Sequence, residues 1–448
     1  TLVVSSAGMA EQIMKTHDAV FANRPQLEVP KHLFYGCTDV AFSTYGEYWR
    51  NLRRVCSLHL FSARRVQSYQ PAREEEVALM VEKIEQLSSG GVVDLTEILH
   101  EFVIDLMSRV IHGRCFREEG LNRVFRDLME EHIPLVTGFH VADYFPSLRW
   151  LSVFSGLDSK ARRTAQKWDC VLGGLIQSHL NRSGDDEEPH QRGFVDVLLA
   201  LQKDSSAEFY LTEENIKAVL VDMLAAGTDT SLITLDWAMV ELIRNPETMK
   251  RAQAEVRGIA GAKPLVKEAD AAQMEYLRAV IKETLRLHPP ATLLVPHQSS
   301  EDTHIDGFQV PKHTTVHINA WAIMRDPQFW EAPEEFRPER FLGASVDFRG
   351  KDFQFIPFGA GRRICPGMQF ALAAMQPALA NLLHRFDWVM PDGKRGEDLD
   401  MAETFGITTH RKHNLRLVPI PLLNHAAPVC RGEERLTQRS RQHLFSSA

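Results

Sequence analysis

The sequence predicts a mainly α chain with a small, segregated β part, an α+β fold, on three observations. Apolar residues recur at three- and four-residue steps through most of the first 290 residues, one candidate helix is unusually long, and the strand-like runs are few, short and close together. Helices are expected, in order, over Ala72 to Leu87, Leu95 to His112 and Asp158 to Leu180. The longest begins after Thr212, a hydroxyl cap with Glu214 close behind, and runs from Glu213 to about Arg244, where Asn245-Pro246 stops it. A helix of that length crosses a whole domain. Val295 to Ser299, Thr303 to Val310 and Thr315 to Ile318 read as strands, and the Asp306-Gly307 and Pro311 breaks mark small hairpins rather than a large sheet. A last apolar helix is expected from Gly367 to about Arg385.

With 448 residues, 44% of them hydrophobic and 25% charged, the chain can bury a large core. Its 59 acidic against 51 basic side chains leave a net charge of -8, which offers no polycation to a nucleic acid. Six cysteines, at 37, 56, 115, 170, 365 and 430, form no CxxC pair, so neither a disulfide framework nor a structural zinc site is suggested, and a reducing compartment fits. No run of eighteen apolar residues and no basic-flanked hydrophobic leader occurs. The opening Thr1-Leu-Val-Val-Ser has no initiator Met and reads like an interior strand, which predicts an N-terminal truncation. Residues 1–423 are expected to form one catalytic domain. Asn181 to Arg192 reads as a solvated acidic loop, and residues 424–448 read as an atypical, disordered tail.

The most informative stretch is Phe358-Gly-Ala-Gly-Arg-Arg-Ile-Cys-Pro-Gly367. Glycines let the backbone approach a flat ligand and aim N–H groups at a sulfur, which moderates the charge of a thiolate ligand. Arginine supplies counter-charge. Pro366 suits the first turn of the helix that follows, so Cys365 is expected at a helix N-terminus that lowers its pKa and makes it a thiolate. A buried free cysteine beside a helix cap is the plainer alternative. The segment resembles the cysteine loop of the cytochrome P-450 family, in which Phe358, Gly361, Arg363, Cys365 and Gly367 take the signature positions. The resemblance implies haem b, iron protoporphyrin IX, held by Cys365 under a long central helix, and thiolate ligation favours O–O cleavage.

Three further patterns agree with it. Glu283 and Arg286 are by themselves an ordinary helical pair, but with Arg340 of Phe336-Arg-Pro-Glu-Arg-Phe341 they resemble the family's buried triad, a structural device whose members are stranded if one is lost. Ala225-Ala-Gly-Thr-Asp-Thr-Ser231 sets glycine, hydroxyls and an acid inside the long helix, against propensity. It looks like the family's oxygen-binding groove. That likeness implies that Gly227 opens the helix wall, Thr230 donates to bound dioxygen and Asp229 links to a proton supply. Solvated residues on an amphipathic helix are the alternative. Trp49 and Arg53 resemble the family's WxxxR, which implies that both meet a haem propionate, as would Arg363. A basic helix face with one packed tryptophan is the alternative. His297 stands where relatives often carry arginine, and it either holds a propionate with a pH-dependent charge or merely packs.

Gly193-Phe-Val-Asp-Val-Leu-Leu, Asp347-Phe-Arg-Gly-Lys-Asp-Phe and the cysteine loop look like the plant microsomal A-type branch, over about residues 1 to 420. This implies a monooxygenase that inserts one atom of O2 into a hydrophobic small molecule of secondary metabolism, with electrons from NADPH through NADPH-cytochrome reductase. It also implies the cytosolic face of the endoplasmic reticulum membrane, with membrane-surface contact in the full-length form. Arg50, Arg54, Arg64 and Arg65 are then a docking face for an acidic reductase, or else a solvated basic face. Parts of Leu33 to Thr44, Met223 to Gly227, Ala291 to Val295 and Thr404 to Thr408 fall where the pocket would be lined. There Ala291, Leu293, Leu294, Val295, Phe405 and Ile407 suit a terpenoid, indolic or phenolic compound held by shape, or are simply core. Two functions compete with this one. One is rearrangement of a peroxide substrate without a reductase, against which the intact groove argues, and the other is a non-catalytic haem-binding or interaction protein.

Overall fold

The computed structural model describes residues 1–422 except 116, 118–119, 139, 146, 148–155, 182–192, 205–208 and 405. The expected C-terminal tail and most of the expected acidic loop lie outside the described residues. The main helices are α1 (Glu47–Val55), α2 (Gln70–Ser88), α3 (Leu95–His112), α4 (Asn122–Thr137), α5 (Leu157–Leu180), α6 (Phe194–Lys203), α7 (Glu213–Arg244), α8 (Pro246–Ala260), α9 (Glu275–Leu287) and α10 (Met368–Arg385). The strands are short: β1 (Leu2–Val4), β2 (Val93–Asp94), β3 (His297–Gln298), β4 (Thr303–Ile305), β5 (Phe308–Val310), β6 (Thr315–Ile318), β7 (Phe386–Val389), β8 (Glu403–Thr404), β9 (His410–Arg411) and β10 (Arg416–Pro421).

α7 organises the molecule. Its N-terminus is a reciprocal cap in which Thr212 Oγ1 accepts from the Asn215 N–H at 3.2 Å while Asn215 Oδ1 accepts from the Thr212 N–H at 3.1 Å. The capping partner is therefore Asn215 and not Glu214, whose carboxylate sits in the first turn and meets the helix dipole instead. By length and hydropathy α7 could cross a bilayer, yet 83% of its most apolar window is buried inside the protein. A helix buried all round needs no polar face, which is why its apolar pattern is nearly continuous. It packs against α3, α9, α10, α5 and α6. α3 starts on the Asp94 carboxylate, which accepts from the Glu97 N–H, and ends at Gly113 with a positive φ of 76°.

Among the described residues the β part forms four small sheets of two or three strands each. β1 runs parallel to β6, pairing Leu2 with Val316 and Val4 with Ile318, and β3 joins the other side of β6. β10 lies between β2 and β7, and β4–β5 and β8–β9 are hairpins. The strand expected over Val295 to Ser299 shrinks to His297–Gln298. The carbonyls of Val295 and Pro296, which a strand would have offered to a neighbour, are both taken by Arg24 Nη1, at 2.6 and 2.7 Å.

Candidate active site

A cavity of about 260 Å³ opens between α7, the segment around Val40 and Ala41, the turn before β3 and the loop before α10. Trp49, Arg53, Gly227, Thr230, His297, Phe358, Arg363, Cys365 and Gly367 all line it. Two expected site residues, Asp229 and Gly361, are not among its lining residues. Gly361 has a φ of 65°, and a Cβ there would sit 2.2 Å from the Met14 carbonyl oxygen and 2.8 Å from Asp18 Oδ1. The N-terminal segment it crosses by itself requires that glycine, while Gly359 and Gly367 present their backbone to the cavity.

The loop closes where the Cys365 N–H donates to the Phe358 carbonyl at 3.0 Å. Phe358 is fixed by an edge contact with Phe348, ring centres 5.5 Å apart. Burial raises the Cys365 pKa above its ordinary value, and the N–H groups of Gly367 and Met368 and the charge of Arg53 only soften that rise. The expected helix-terminus effect is present but outweighed by desolvation, so among protein groups alone the thiol form is favoured. A metal cation at the sulfur reverses this balance, since a coordinating thiol is deprotonated outright.

At the other end of the cavity three guanidinium groups gather, Arg24 buried and Arg53 and Arg363 half-buried. Arg363 donates to the carbonyls of Ala22 (2.7 Å), Val40 (3.1 Å) and Ser43 (2.6 Å), and its cation lies 4.2 Å from the centre of the Trp49 ring. Arg53 donates to the Ile364 carbonyl at 2.5 Å, tying α1 to the cysteine loop. Arg24, absent from the expected set, also bonds carbonyls, those of Ala41, Val295 and Pro296. Among the described residues none of the three has a salt-bridge partner. Burial lowers the Arg363 pKa to about 9 and, with help from Arg363, lowers that of Arg24 well below its ordinary value. Three cations brought together without a paired carboxylate, one of them buried, suit this end to an anionic group. Trp49 has its N–H committed to the Val40 carbonyl at 3.0 Å and so offers the cavity its ring, not the donor that the expected propionate contact needs. His297 donates Nδ1–H to, and is fixed by, the Phe21 carbonyl at 2.9 Å, and burial beside Arg24 lowers its pKa to about 3, which keeps it neutral.

Along α7 the groove differs from expectation in detail. Thr230 lines the cavity, but its hydroxyl donates to the Ala226 carbonyl at 2.8 Å, leaving its lone pairs toward a ligand. Gly227 lacks a side chain where a Cβ would lie 2.7 Å from Met107 Cε, so the methionine of α3 packs onto the open flank. Asp229 is buried and pairs with His410 Nε2 at 3.0 Å, facing the β8–β9 hairpin. Asp222, also missed, lines the cavity and accepts from the Val40 and Ala41 N–H groups at 2.7 and 3.1 Å. Burial raises its pKa and that of neighbouring Asp39, the charge of Asp39 adding to the rise at Asp222. A lone acid in the otherwise apolar run Ala218 to Ala226 was the signal for it. Arg24 and His410 carried no such signal.

Glu283 and Arg286 are fully buried. The Glu283 carboxylate accepts from Arg286 Nε and Nη2 at 2.7 and 2.8 Å and from Arg340 Nε at 2.9 Å. Of the expected substrate contacts, Ala291, Leu294 and Val295 line the cavity with Met223 and Ala226, whereas Leu293 is 43% exposed and turns away. Leu294 can turn inward because it adopts a left-handed φ of 52°. Ile407 packs against the core, and Phe405 lies outside the described residues.

A family model described as Cytochrome P450 matches residues 1–416. Cytochrome P450 71A1 of Persea americana is 50% identical over 422 residues, covering 93% of this chain and 84% of its own length. Phenylacetaldehyde oxime monooxygenase of Prunus mume is 45% identical, with 94% and 81% covered. Desmethyl-deoxy-podophyllotoxin synthase of Sinopodophyllum hexandrum is 43% identical, with 94% and 82% covered. A solved structure of a zebra fish cytochrome P450 with abiraterone superposes with a TM-score of 0.79 at 25% identity, covering 94% of this chain and 93% of that one.

Proposed function

Because the chain belongs to the cytochrome P-450 family, we propose that Cys365 would hold the iron of a haem b whose carboxylates Arg24, Arg53 and Arg363 would receive. The chain is a haem-thiolate monooxygenase of the plant secondary-metabolism type, and O2, an organic substrate and a redox partner are its general requirements. The observation that carries the residue assignment is the pairing, in one cavity, of a single cysteine at one wall with Arg24, Arg53 and Arg363 at the other, none of which has a salt-bridge partner among the described residues.

Bound haem supplies oxygen activation, which thiolate ligation favours. The chain supplies the surroundings. The Gly367 and Met368 N–H groups temper the charge at sulfur, and Phe358 and the Trp49 ring wall the site. Gly227 and Thr230 bound the space along α7, and Asp229 stands behind them as a proton source for Thr230. Glu283, Arg286 and Arg340 hold the adjoining core. His297, with Nδ1–H already donated, becomes a second donor only on taking up another proton, which a carboxylate beside it promotes. The apolar lining of Met223, Ala226, Ala291, Leu294 and Val295 excludes water and suits a hydrophobic aromatic or terpenoid-sized molecule held by shape. The phenylacetaldehyde oxime and desmethyl-deoxy-podophyllotoxin of two relatives' names are organic molecules compatible with that class.

The electron donor in this reading is NADPH-cytochrome reductase, and residence is at the cytosolic face of the endoplasmic reticulum membrane, with residues 1–423 as one catalytic domain. The decisive measurement is the carbon monoxide difference spectrum of the dithionite-reduced protein. Wild type is expected to show a red-shifted, thiolate-type Soret band that Cys365→Ala lacks while still folding. A folded, haem-loaded wild type without that band removes the assignment of Cys365.

A further inference from the structure

Asp229 presents its carboxylate away from the cavity, and what it meets there is His410 of β9. Its Oδ1 lies 3.0 Å from His410 Nε2, and the histidine side chain is 30% exposed while the carboxylate side is 6% exposed. The pair therefore joins a buried acid to solvent. Thr230, the residue after Asp229, lines the cavity. We propose that His410 is the positioning and proton-feeding partner of Asp229, completing a path from solvent through His410 and Asp229 to Thr230. The proposal rests on the monooxygenase reading, because a proton path to Thr230 has a use only there.

The transfer balances without a further reactant. His410 Nε2 gives its proton to Asp229 Oδ1, Asp229 passes one on to Thr230 Oγ1 as that hydroxyl releases its own proton, now held by the Ala226 carbonyl, toward the cavity, and His410 takes up another at its exposed edge. Burial disfavours the charged ring, but the hydrogen bond and charge of Asp229, with Asp236 further off, outweigh it and hold the His410 pKa above its ordinary value. The imidazole is thus more readily protonated than a free histidine, and its ring stays partly open to solvent.

The charged and titratable groups around the pair come from four elements. α7 contributes Asp229 and Asp236, and α3 contributes His100 and Glu97. α4 contributes Arg126 toward His100 and His132 toward Asp229. The hairpin contributes Arg411, which pairs with Asp236 at 3.6 Å, and Glu403, which stands opposite Arg411. Burial and Arg126 keep His100 below its ordinary pKa, and burial takes His132 down to about 4. Neither neighbour competes with His410 for the proton near neutrality.

A salt link that merely fastens the hairpin to α7 is the rival explanation, and two substitutions separate them. In the haem-loaded protein with NADPH-cytochrome reductase and no added substrate, NADPH oxidation is compared in H2O and D2O across pH. His410→Gln is expected to slow it about tenfold and to enlarge the solvent isotope effect, a partial loss of what a positioned proton donor contributes. Reduction of the iron under carbon monoxide should be unchanged. His410→Lys keeps a cation against Asp229 but does not titrate near neutrality, so it should stay slow and lose the pH dependence. His413→Gln, on the exposed stretch just beyond β9, serves as control. Independently of turnover, histidine ring NMR of the folded protein should show the His410 pKa falling in Asp229→Asn. The proposal is overturned if His410→Gln oxidises NADPH like wild type, if His410→Lys restores rate and pH profile, or if Asp229→Asn leaves the His410 pKa in place. A wild type without a thiolate-type carbon monoxide band would instead fail the monooxygenase reading, while the NMR result would still report on the pair.

Discussion

Single residues at the cationic end of the cavity set an acid limit on this protein. His297 is buried against Arg24, and its folded pKa of about 3 lies far below the ordinary value of 6.5. An unfolded chain takes up a proton at His297 near pH 6.5 that the folded chain refuses until about pH 3. Stability from this group is therefore complete above pH 6.5 and falls as the pH drops through that window. By pH 5 the loss is about 2 kcal/mol. His297→Asn keeps a donor for the Phe21 carbonyl without a titrating ring, so its urea midpoint should change less than that of wild type between pH 7 and pH 5. Parallel losses in the two proteins would show that His297 is not the sensitive group. A bound carboxylate beside His297 raises its pKa and narrows the window, so saturating with haem should reduce the difference between the two proteins. The same reasoning applies to Arg24 and Arg363, whose lowered pKa values record repulsion that an anionic ligand relieves.

Apolar packing joins most elements, and a buried ion network adds to it at the junction of α9 with the segment 331–341. Glu283 holds Arg286 and Arg340 at once, and the two arginines also bond the carbonyls of Met324, Pro333, Glu331, Ala332 and Glu335. Glu283→Gln leaves a fully buried guanidinium without its anion and should lower stability by about 3–5 kcal/mol. Arg340→Lys, at a position 11% exposed, loses carbonyl bonds but keeps a charge and should cost about 1–2 kcal/mol. Chemical denaturation of both tests that order, and equal losses would mean that the pairs act only as packing volume. Glu283 and Arg286 share one helical face but by themselves are an ordinary pair, and the triad was legible only through its resemblance to the family pattern that adds Arg340. The bounds of α7 were legible from the chain itself, through a hydroxyl cap at one end and Asn-Pro at the other. What escaped reading depends on distant partners. Arg24 removes two carbonyls from an expected strand more than 270 residues away, the φ of Gly361 is dictated by Met14 and Asp18, and His410 finds Asp229 only once a hairpin folds back on α7. None of these has a periodicity or spacing to betray it.

Across the whole molecule the net charge of -8 hides a local reversal. Arg50 and Arg54 on α1 and Arg64 and Arg65 just after it have no salt-bridge partner among the described residues, although Arg50 and Arg65 lie over the rings of Tyr45 and Tyr69. Arg362 of the cysteine loop lies 5.7 Å from the centre of the same Tyr45 ring as Arg50, so the basic patch runs up to the loop that holds Cys365. An acidic electron donor approaching a negative protein is repelled everywhere except at such a patch, and the attraction acts over roughly 10 Å at 0.1 M salt. The effect belongs to encounter more than to the final complex. Reduction by NADPH-cytochrome reductase at low reductase concentration should therefore slow steeply between about 50 and 300 mM salt. Arg50→Glu with Arg54→Glu should lower the low-salt rate about tenfold, yet leave the rate at saturating reductase and high salt nearly unchanged. Lys160→Glu on α5 makes the same kind of charge change away from α1 and should have little effect. If the rate ignores salt, or if Lys160→Glu acts as strongly as the arginine pair, the electron donor docks elsewhere and these arginines are only a solvated face.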